Sequence, residues 1–228
     1  MDRADGRLAS TLRPLSCELG TLHNADGSAL WKSGSTQVLA AVHGPVAPRQ
    51  PQHETQKAKI SIIIKSGTTV NTLEREWEAF ITKALTACLV TEQYPRSVIQ
   101  IVLQILSADG SVLGAALNGA VAALMDAGIA MKVLPVAVTC LISEIDNSTI
   151  QLDPSLEEEQ VGGVVVLVSE SATPGKILAC HTSGVAASMD VILRCCAVAE
   201  RAAPAIPAFW RIVIEQKATR EAQTLWSL

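Results

Sequence analysis

Residues 97–128 read SVIQIVLQILSADGSVLGAALNGAVAALMDAG, and this stretch decides the fold class. Isoleucine or leucine occupies every odd position from 99 to 105, and this period of two predicts a strand over residues 97–106. Asp109-Gly110 marks a turn, and the glycines and alanines of residues 111–127 predict a helix that packs very closely on its neighbours. Gly128 is placed to end that helix in a left-handed conformation. A strand followed by a closely packed helix is typical of layered α/β proteins.

The segments upstream of this stretch predict more strands and a helix. Residues 10–43 have the turn signals of a β-meander, residues 44–57 are rich in proline and predict an exposed loop, and residues 60–65 alternate as a strand does. Asn71, with Glu74 three residues later, predicts the start of a helix. Its buried stripe is predicted to consist of Leu73, Trp77, Phe80, Ile81, Ala84, Leu85 and Cys88.

Downstream, strands are predicted over residues 135–144 and 149–152, followed by an acidic stretch and an apolar hairpin over residues 164–181. The turn of this hairpin is predicted at Pro174-Gly175. Two helices end the chain, and their apolar stripes are predicted to be Met189, Ile192, Leu193, Cys196 and Ala199, and then Trp210, Val213, Ile214 and Lys217. The expected fold is α/β (α+β, two-layer), with mixed sheets packed against helices in a single domain over residues 1–228.

Composition excludes several classes of protein. With 228 residues and 49% hydrophobic content, the chain is long enough for one substantial core. Its net charge of −4 gives no basic field for nucleic acid, so any RNA contact has to be local. The uncharged stretch 112–125 is too short to span a bilayer, and no membrane partner is expected. The six cysteines show no C-x-x-C spacing, and the charged, polar N-terminus is unlike a secretory signal, so reduced, buried thiols of a cytosolic or nuclear protein are expected.

Three blocks of sequence, in this order, resemble the RNase PH family. They are Arg3-Ala-Asp-Gly-Arg7 with Leu12-Arg-Pro14; Ala25-Asp-Gly-Ser28 with Gly34-Ser-Thr36 and Val38-Leu-Ala-Ala-Val42; and Ala108-Asp-Gly-Ser111 with Ala122-Ala-Leu124 and Asp126-Ala-Gly-Ile129. The resemblance covers nearly the whole chain. It implies an RNase PH-like fold, which is similar to domain 2 of ribosomal protein S5.

Active members of that family degrade RNA from its 3′ end with phosphate as the attacking group. Where they have a Thr-Arg-Thr type sequence at a helix N-terminus, this chain has Ser111-Val-Leu-Gly114, and where they have an aspartate pair leading into a strand, it has Gly162-Gly-Val-Val165. Losing one preorganised electrostatic contact costs about 10² to 10³ in rate. Both departures predict that phosphorolysis is lost, so the resemblance implies a non-catalytic ring subunit of the eukaryotic RNA exosome.

The resemblance also implies partners and a place of action. The expected partners are other RNase PH-like ring subunits, exosome cap proteins and RNA, and the expected locations are the nucleus, the nucleolus and the cytoplasm. In the family, the loop before the first long helix faces the pore, which implies RNA-backbone contacts at Thr72, Leu73 and Arg75. Lys57, Lys59 and Lys65 are candidates to extend this basic strip. No cofactor is expected for this role.

The alternative hypothesis is a homodimeric, metal-dependent nuclease acting on single-stranded RNA or DNA. Glu158 and Glu159 are its candidate catalytic residues, and Asp153 and Glu158 are its candidate ligands for Mg²⁺. A solvated helix turn competes with this interpretation, because consecutive glutamates on a helix do not share a face. Both hypotheses stay open at this point. The ring-subunit hypothesis predicts that the isolated chain behaves poorly in solution or forms homo-oligomers, because apolar residues are exposed on the last helices or at sheet edges. The nuclease hypothesis predicts metal-dependent turnover.

Overall fold

The computed structural model describes residues 3, 6–48, 56–67, 72–143, 149–173, 175–184 and 188–226. Its first sheet follows the predicted meander and the strand 97–106. The strands of this sheet are β1 (Leu15–Leu19), β2 (Gly27–Ser33), β3 (Thr36–Val46), β4 (Lys59–Lys65) and β5 (Val98–Ser107). They lie in the order β1-β2-β3-β5-β4, and only the β4–β5 pair among them is parallel. The predicted cap residue Asn71 and the predicted turn residue Pro174 lie outside the described residues.

The second sheet comes from the C-terminal half of the chain and is antiparallel throughout. Its strands are β6 (Pro135–Ser143), β7 (Ile150–Leu152), β8 (Gly162–Glu170) and β9 (Ile177–Ser183), in the order β7-β6-β8-β9. The helices are α1 (Thr72–Cys88), α2 (Val112–Asp126), α3 (Leu156–Glu159), α4 (Met189–Ala202) and α5 (Ala205–Trp226), and a short 3₁₀ turn spans Thr91–Gln93. Among the described helices, none combines the length and the apolar character needed to cross a bilayer.

Helix α2 lies between the two sheets. Its small residues let both sheets approach it closely. A Cβ atom at Gly119 would lie 3.2 Å from the Cβ of Trp31 on β2. On the opposite side, the Asn118 amide donates to the Ala137 carbonyl of β6 and accepts from the Ala137 N–H, both at 2.9 Å. These contacts bring the α2 backbone close to both sheets, so the predicted close packing of this helix is confirmed. Gly128 ends the helix region with a φ of +67°, as predicted.

Several side chains that the apolar periodicity placed in the core are exposed. Leu73 is 51% exposed at the start of α1, and on α4 Met189 and Leu193 are 68% and 56% exposed. The buried stripe of α4 consists of Val191, Cys195 and Ala199, and of these only Ala199 was predicted. Both stripes of α4 carry apolar side chains, so spacing alone does not decide which one faces the sheet. The predicted burial of Ile214 is likewise wrong, since it is 41% exposed.

The predicted environment of the thiols is only partly correct. Cys88, Cys140 and Cys195 are buried and Cys17 and Cys196 are half-buried, but Cys180 on β9 is exposed. All six are free thiols. β9 is the last strand of its sheet, so an alternate position along it is open to solvent even where the sequence is apolar.

Candidate functional site

The N-terminal end of α2 is built from two segments that are distant in sequence. Strand β5 leads through Asp109 and Gly110 to Ser111, which has a φ of 52° and precedes the first turn of α2. Gly110 has a φ of +73°, and a Cβ there would collide with the carbonyl oxygen of Pro154. The Ser111 hydroxyl donates to that same carbonyl oxygen at 3.1 Å. The acidic segment 153–159 therefore lies directly against the end of the helix.

Asp153 is the buried centre of this end. Its carboxylate accepts from Arg13 Nη2 at 2.7 Å, from the Arg13 N–H at 3.1 Å and from Ser33 Oγ at 2.8 Å. Burial on its own raises the pKa of Asp153, but the hydrogen bond and charge of Arg13 and the Ser33 hydroxyl outweigh it, so the pKa is lowered. Asp153 is 6% exposed, and its negative charge is compensated by donors of the chain itself, chiefly the Arg13 guanidinium.

Glu158 is held by a second arginine. Arg3 donates from Nε to Oε1 at 2.9 Å and from Nη2 to Oε2 at 2.8 Å, which is the two-bond geometry of a strong arginine–carboxylate pair. The Ser155 N–H also donates to Glu158 Oε2 at 2.9 Å, completing a capping box at the start of α3. The Arg3 hydrogen bond is the main cause that lowers the pKa of Glu158.

Glu159 occupies the anion-binding position of α2. The Ser111 N–H, at the positive end of the helix, donates to Glu159 Oε1 at 2.7 Å. A helix N-terminus offers such N–H groups to phosphate, and here a carboxylate of the chain accepts from one of them. Burial is the main cause that raises the pKa of Glu159, against the opposing effect of the Ser111 hydrogen bond.

We call the group Arg3, Arg13, Asp153, Glu158 and Glu159 the arginine–carboxylate cluster. It brings together all the carboxylates that the nuclease hypothesis named, and it also places acidic groups at the end of α2. The loss of the aspartate pair at Gly162-Gly163, expected from the family resemblance, stays a prediction. Glu158 and Glu159, as predicted for consecutive helix residues, point to different partners.

A cleft of about 530 Å³ opens beside the cluster and is lined by side chains of both signs, including Arg7, Arg13, Asp109 and Glu157. Arg7 donates to the carbonyl oxygens of Thr11 and Asp153, each at 3.3 Å. Within the described part of the chain, no group of three or more histidine, cysteine, aspartate or glutamate residues has the arrangement of a metal site. The metal candidates Asp153 and Glu158 each have an arginine as the nearest cation, at 2.7 and 2.8 Å.

The candidate RNA-contacting residues Thr72, Leu73 and Arg75 lie together in the first turn of α1, where all three are exposed. Between them, Glu74 is 2% exposed and accepts from the Ser66 N–H at 2.9 Å and from Ser66 Oγ at 2.5 Å. Glu74 thus fixes the end of β4 to the start of α1. Of the three lysines considered with them, Lys59 and Lys65 share the outward side of β4, while Lys57 lies 3.8 Å from Glu92.

Sequence reasoning missed the roles of Arg3 and Arg13. Both stand in the quoted motifs, but their partners Glu158 and Asp153 lie 155 and 140 positions further on. No periodicity links positions that far apart. One available signal was the aspartate directly after the buried strand β7, because an ionised side chain at such a position needs a cationic partner.

Comparisons with known proteins agree with this architecture. The sequence profile of the 3′ exoribonuclease family, RNase PH domain 1, matches residues 11–130. The chain is 38% identical over 175 residues to the exosome complex exonuclease RRP46 homolog of Arabidopsis thaliana, covering 76% of this chain and 72% of that protein. It is 37% identical over 180 residues to the exosome complex component RRP41 homolog of the same plant, covering 73% and 72%.

A solved structure extends the match to three dimensions. The crystal structure of rice (Oryza sativa) Rrp46 superposes with a TM-score of 0.84 at 33% sequence identity, covering 92% of this chain and 98% of that one. The RNase PH-like fold and the mixed sheets packed with helices, both predicted from the sequence, are confirmed. The single-domain assignment of residues 1–228 stays a prediction.

Proposed function

Because the chain belongs to the 3′ exoribonuclease (RNase PH) family, we propose that it is a non-catalytic ring subunit of an RNA exosome. In this role it contributes to 3′-to-5′ RNA processing and degradation by completing the ring and by contacting RNA in the channel. Its ring neighbours are other RNase PH-type subunits. The relatives named above as exosome complex proteins, of both RRP46 and RRP41 type, support this assignment.

One observation carries the non-catalytic part of the proposal. The N–H of Ser111, where a phosphate ion would bind the end of α2, donates to Glu159 Oε1 at 2.7 Å. Residues 112–114, Val-Leu-Gly, supply no arginine beside it. Arg3 and Arg13 are engaged with Glu158 and Asp153. A phosphate ion at this end would have to displace a carboxylate and compete with two ion pairs, which opposes phosphorolysis.

Within the ring, we assign the chain to the exosome component five type, the short RNase PH-like subunit. The resemblance of the chain to that short ring subunit supports this choice. The identities to RRP46-type and RRP41-type relatives, 38% and 37%, are similar, so the ring neighbours that co-elute with the chain test it. Cap proteins are further partners, the isolated chain forms homodimers, and the protein acts in the nucleus, the nucleolus and the cytoplasm.

RNA contact is proposed for the first turn of α1, at Thr72, Leu73 and Arg75. Support comes from their exposure at a helix N-terminus, which favours phosphate. Arg75→Ala, in the assembled ring, is expected to weaken binding of single-stranded RNA several-fold and to reduce its salt dependence. Lys83→Ala, also exposed on α1, is the matched control and is expected to change neither. Equal effects of the two variants would remove α1's first turn as an RNA contact.

The nuclease hypothesis gains no support from the geometry. Glu158 accepts from Arg3 and Ser155, and Glu159 accepts from Ser111. Through these bonds, Glu158 stabilises the start of α3 and Glu159 joins α3 to the start of α2. No cofactor is proposed for the ring subunit, and Mg²⁺ belongs to the nuclease hypothesis alone.

The deciding experiment measures how fast the purified protein degrades end-labelled single-stranded RNA and DNA, with and without phosphate and Mg²⁺. A parallel measurement determines its mass after co-expression with other RNase PH-type subunits. We expect no turnover and co-elution with at least one such subunit. Turnover that Glu158→Gln or Glu159→Gln abolishes would instead establish the nuclease, and failure to associate with every RNase PH-type subunit would overturn the ring assignment.

A further inference from the structure

The first sheet is covered by helices on one face only within the described part of the chain. Every second residue of β4 and of most of β5 is buried, and the residues between them are half-buried or exposed. The inward side carries Ile62, Ile101 and Val42 and packs on α1 and α2. The opposite side, which we call the outer face, carries Ile63, Val102 and Ala41 in the same register.

The outer face has an aliphatic centre. Ile63, Val102 and Ala41 are cross-strand neighbours on β4, β5 and β3, and Leu39 on β3 lies opposite Leu30 on β2. Ala41 is buried, at 7% exposed. The other four side chains are half-buried, and none of these four belongs to the hydrophobic core or is packed against it. The sheet is mixed, and a sheet face that meets water is expected to carry mainly polar residues. An aliphatic centre at that place indicates a surface that another molecule covers.

Around this centre, the charges are mostly positive. Lys32 on β2 and Lys59 and Lys65 on β4 stand at outward positions, and the one outward carboxylate on these strands is Glu18 on β1. In the described residues, none of the three lysines forms a salt bridge. An apolar centre with a charged border is the anatomy of a protein–protein interface, and the border sets the charge that a partner must carry.

We propose that the outer face docks a protein surface with an aliphatic centre and a border of aspartate and glutamate, on a neighbouring RNase PH-type subunit. This inference rests on the proposed function and names the surface that it uses. RNA is the less suitable occupant of the same lysines. Sheet surfaces that bind single strands stack bases on aromatic side chains, and the only Phe, Tyr or Trp on these five strands is Trp31, which points inward and is 1% exposed.

The test uses the full chain co-expressed with each RNase PH-type subunit that co-elutes with it. A photo-cross-linking amino acid at Gln104, on the outer face, is expected to link to the partner, and the same group at Thr86, exposed on α1, is not. The double variant Lys59→Glu/Lys65→Glu is expected to lower the affinity for the partner about tenfold at low salt, and less at high salt. Lys83→Glu has the same charge change per site on α1 and is expected to leave the affinity unchanged.

The cross-linked segment of the partner supplies a second arm. Changing an aspartate or glutamate of that segment to lysine is expected to restore affinity toward the double variant. Co-elution without a cross-link from Gln104, or with equal effects of the double variant and Lys83→Glu, overturns the docking surface while the ring assignment stands. Loss of RNA binding by the double variant with partner affinity unchanged also overturns it, in favour of an RNA surface. No co-elution with any such subunit overturns both.

Discussion

The arginine–carboxylate cluster and the outer face of the first sheet differ in whether their charged side chains form ion pairs within the described part of the chain. In the cluster, Asp153 and Glu158 are bonded to Arg13 and Arg3 at 2.7 and 2.8 Å. On the outer face, Lys59 and Lys65 border an aliphatic centre, and no described residue forms a salt bridge with either. The cluster contains the residues that a motif search selects as chemical, yet its groups serve to hold the fold together. The lysines of the outer face, in contrast, are available to a partner.

The largest expected effect tests whether the cluster is structural. Arg13→Ala leaves the Asp153 carboxylate buried at 6% exposure without its cation, which is expected to lower the free energy of unfolding by about 3–5 kcal/mol. Urea denaturation followed by circular dichroism measures it. Arg75→Ala, on the exposed end of α1, is the control and is expected to change stability by no more than about 0.5 kcal/mol. A loss below about 1 kcal/mol for Arg13→Ala would contradict the structural role.

A pair of neighbours on β5 separates the two faces of the first sheet. Leu103 is fully buried on the inward side. Leu103→Ala is expected to lower the free energy of unfolding by about 2–5 kcal/mol. Val102→Ala, on the outer face, is expected to cost less than about 1 kcal/mol in the isolated chain. Thermal or urea unfolding measures both variants. Equal losses would mean that the outer face is already covered in the isolated protein, and the comparison between the two regions would fail.

Acid unfolding tests the cluster by pH. Arg13 holds the pKa of Asp153 below its ordinary value and Arg3 does the same for Glu158, so both carboxylates stabilise the fold above the unfolded pKa of about 4. That stability is lost as the pH falls from about 4 through the lowered values. Glu159 has the opposite sign, because its raised pKa makes folding less favourable as the pH rises through about 4 to the folded value.

Asp153→Asn is expected to flatten the pH dependence of unfolding below about pH 4. Glu159→Gln, the matched change, is expected to remove the loss of stability that accompanies rising pH above about 4. Urea midpoints between about pH 3 and pH 7 measure both curves. Parallel curves for wild type and Asp153→Asn would show that the Asp153–Arg13 pair contributes nothing to acid stability.

The smallest expected effect belongs to the outer face. Lys65→Glu is expected to change the stability of the isolated chain by less than about 0.5 kcal/mol, because Lys65 forms no salt bridge in the described part of the chain. Its consequence is confined to partner binding. Thermal unfolding of the isolated variant checks this, and a loss above about 1 kcal/mol would show that Lys65 serves the fold, as the cluster does.

Local pattern predicted most of the elements and little of the site. Strand β5 and helix α2 lie within one or two residues of their predicted bounds, because a period of two and a run of small residues each suit one backbone geometry. The stripe of α4 was wrong where Met189 and Leu193 gave the same spacing as the buried Val191 and Cys195. The acidic residues of 153–159 were identified as candidates, but their partners were not, since Arg3 and Arg13 are more than a hundred residues away in the chain.

By itself, the sequence determined the layered α/β fold, the family resemblance and the absence of an arginine at residues 112–114, since each is a property of neighbouring residues. The tertiary structure decided what the carboxylates do, because the partners of a charge are fixed by which loops meet and not by spacing along the chain. It also decided which face of the first sheet no described helix covers. Alternation predicts two faces of a strand, and only the packing of α1 and α2 on one of them leaves Leu39, Val102 and Ile63 on the other.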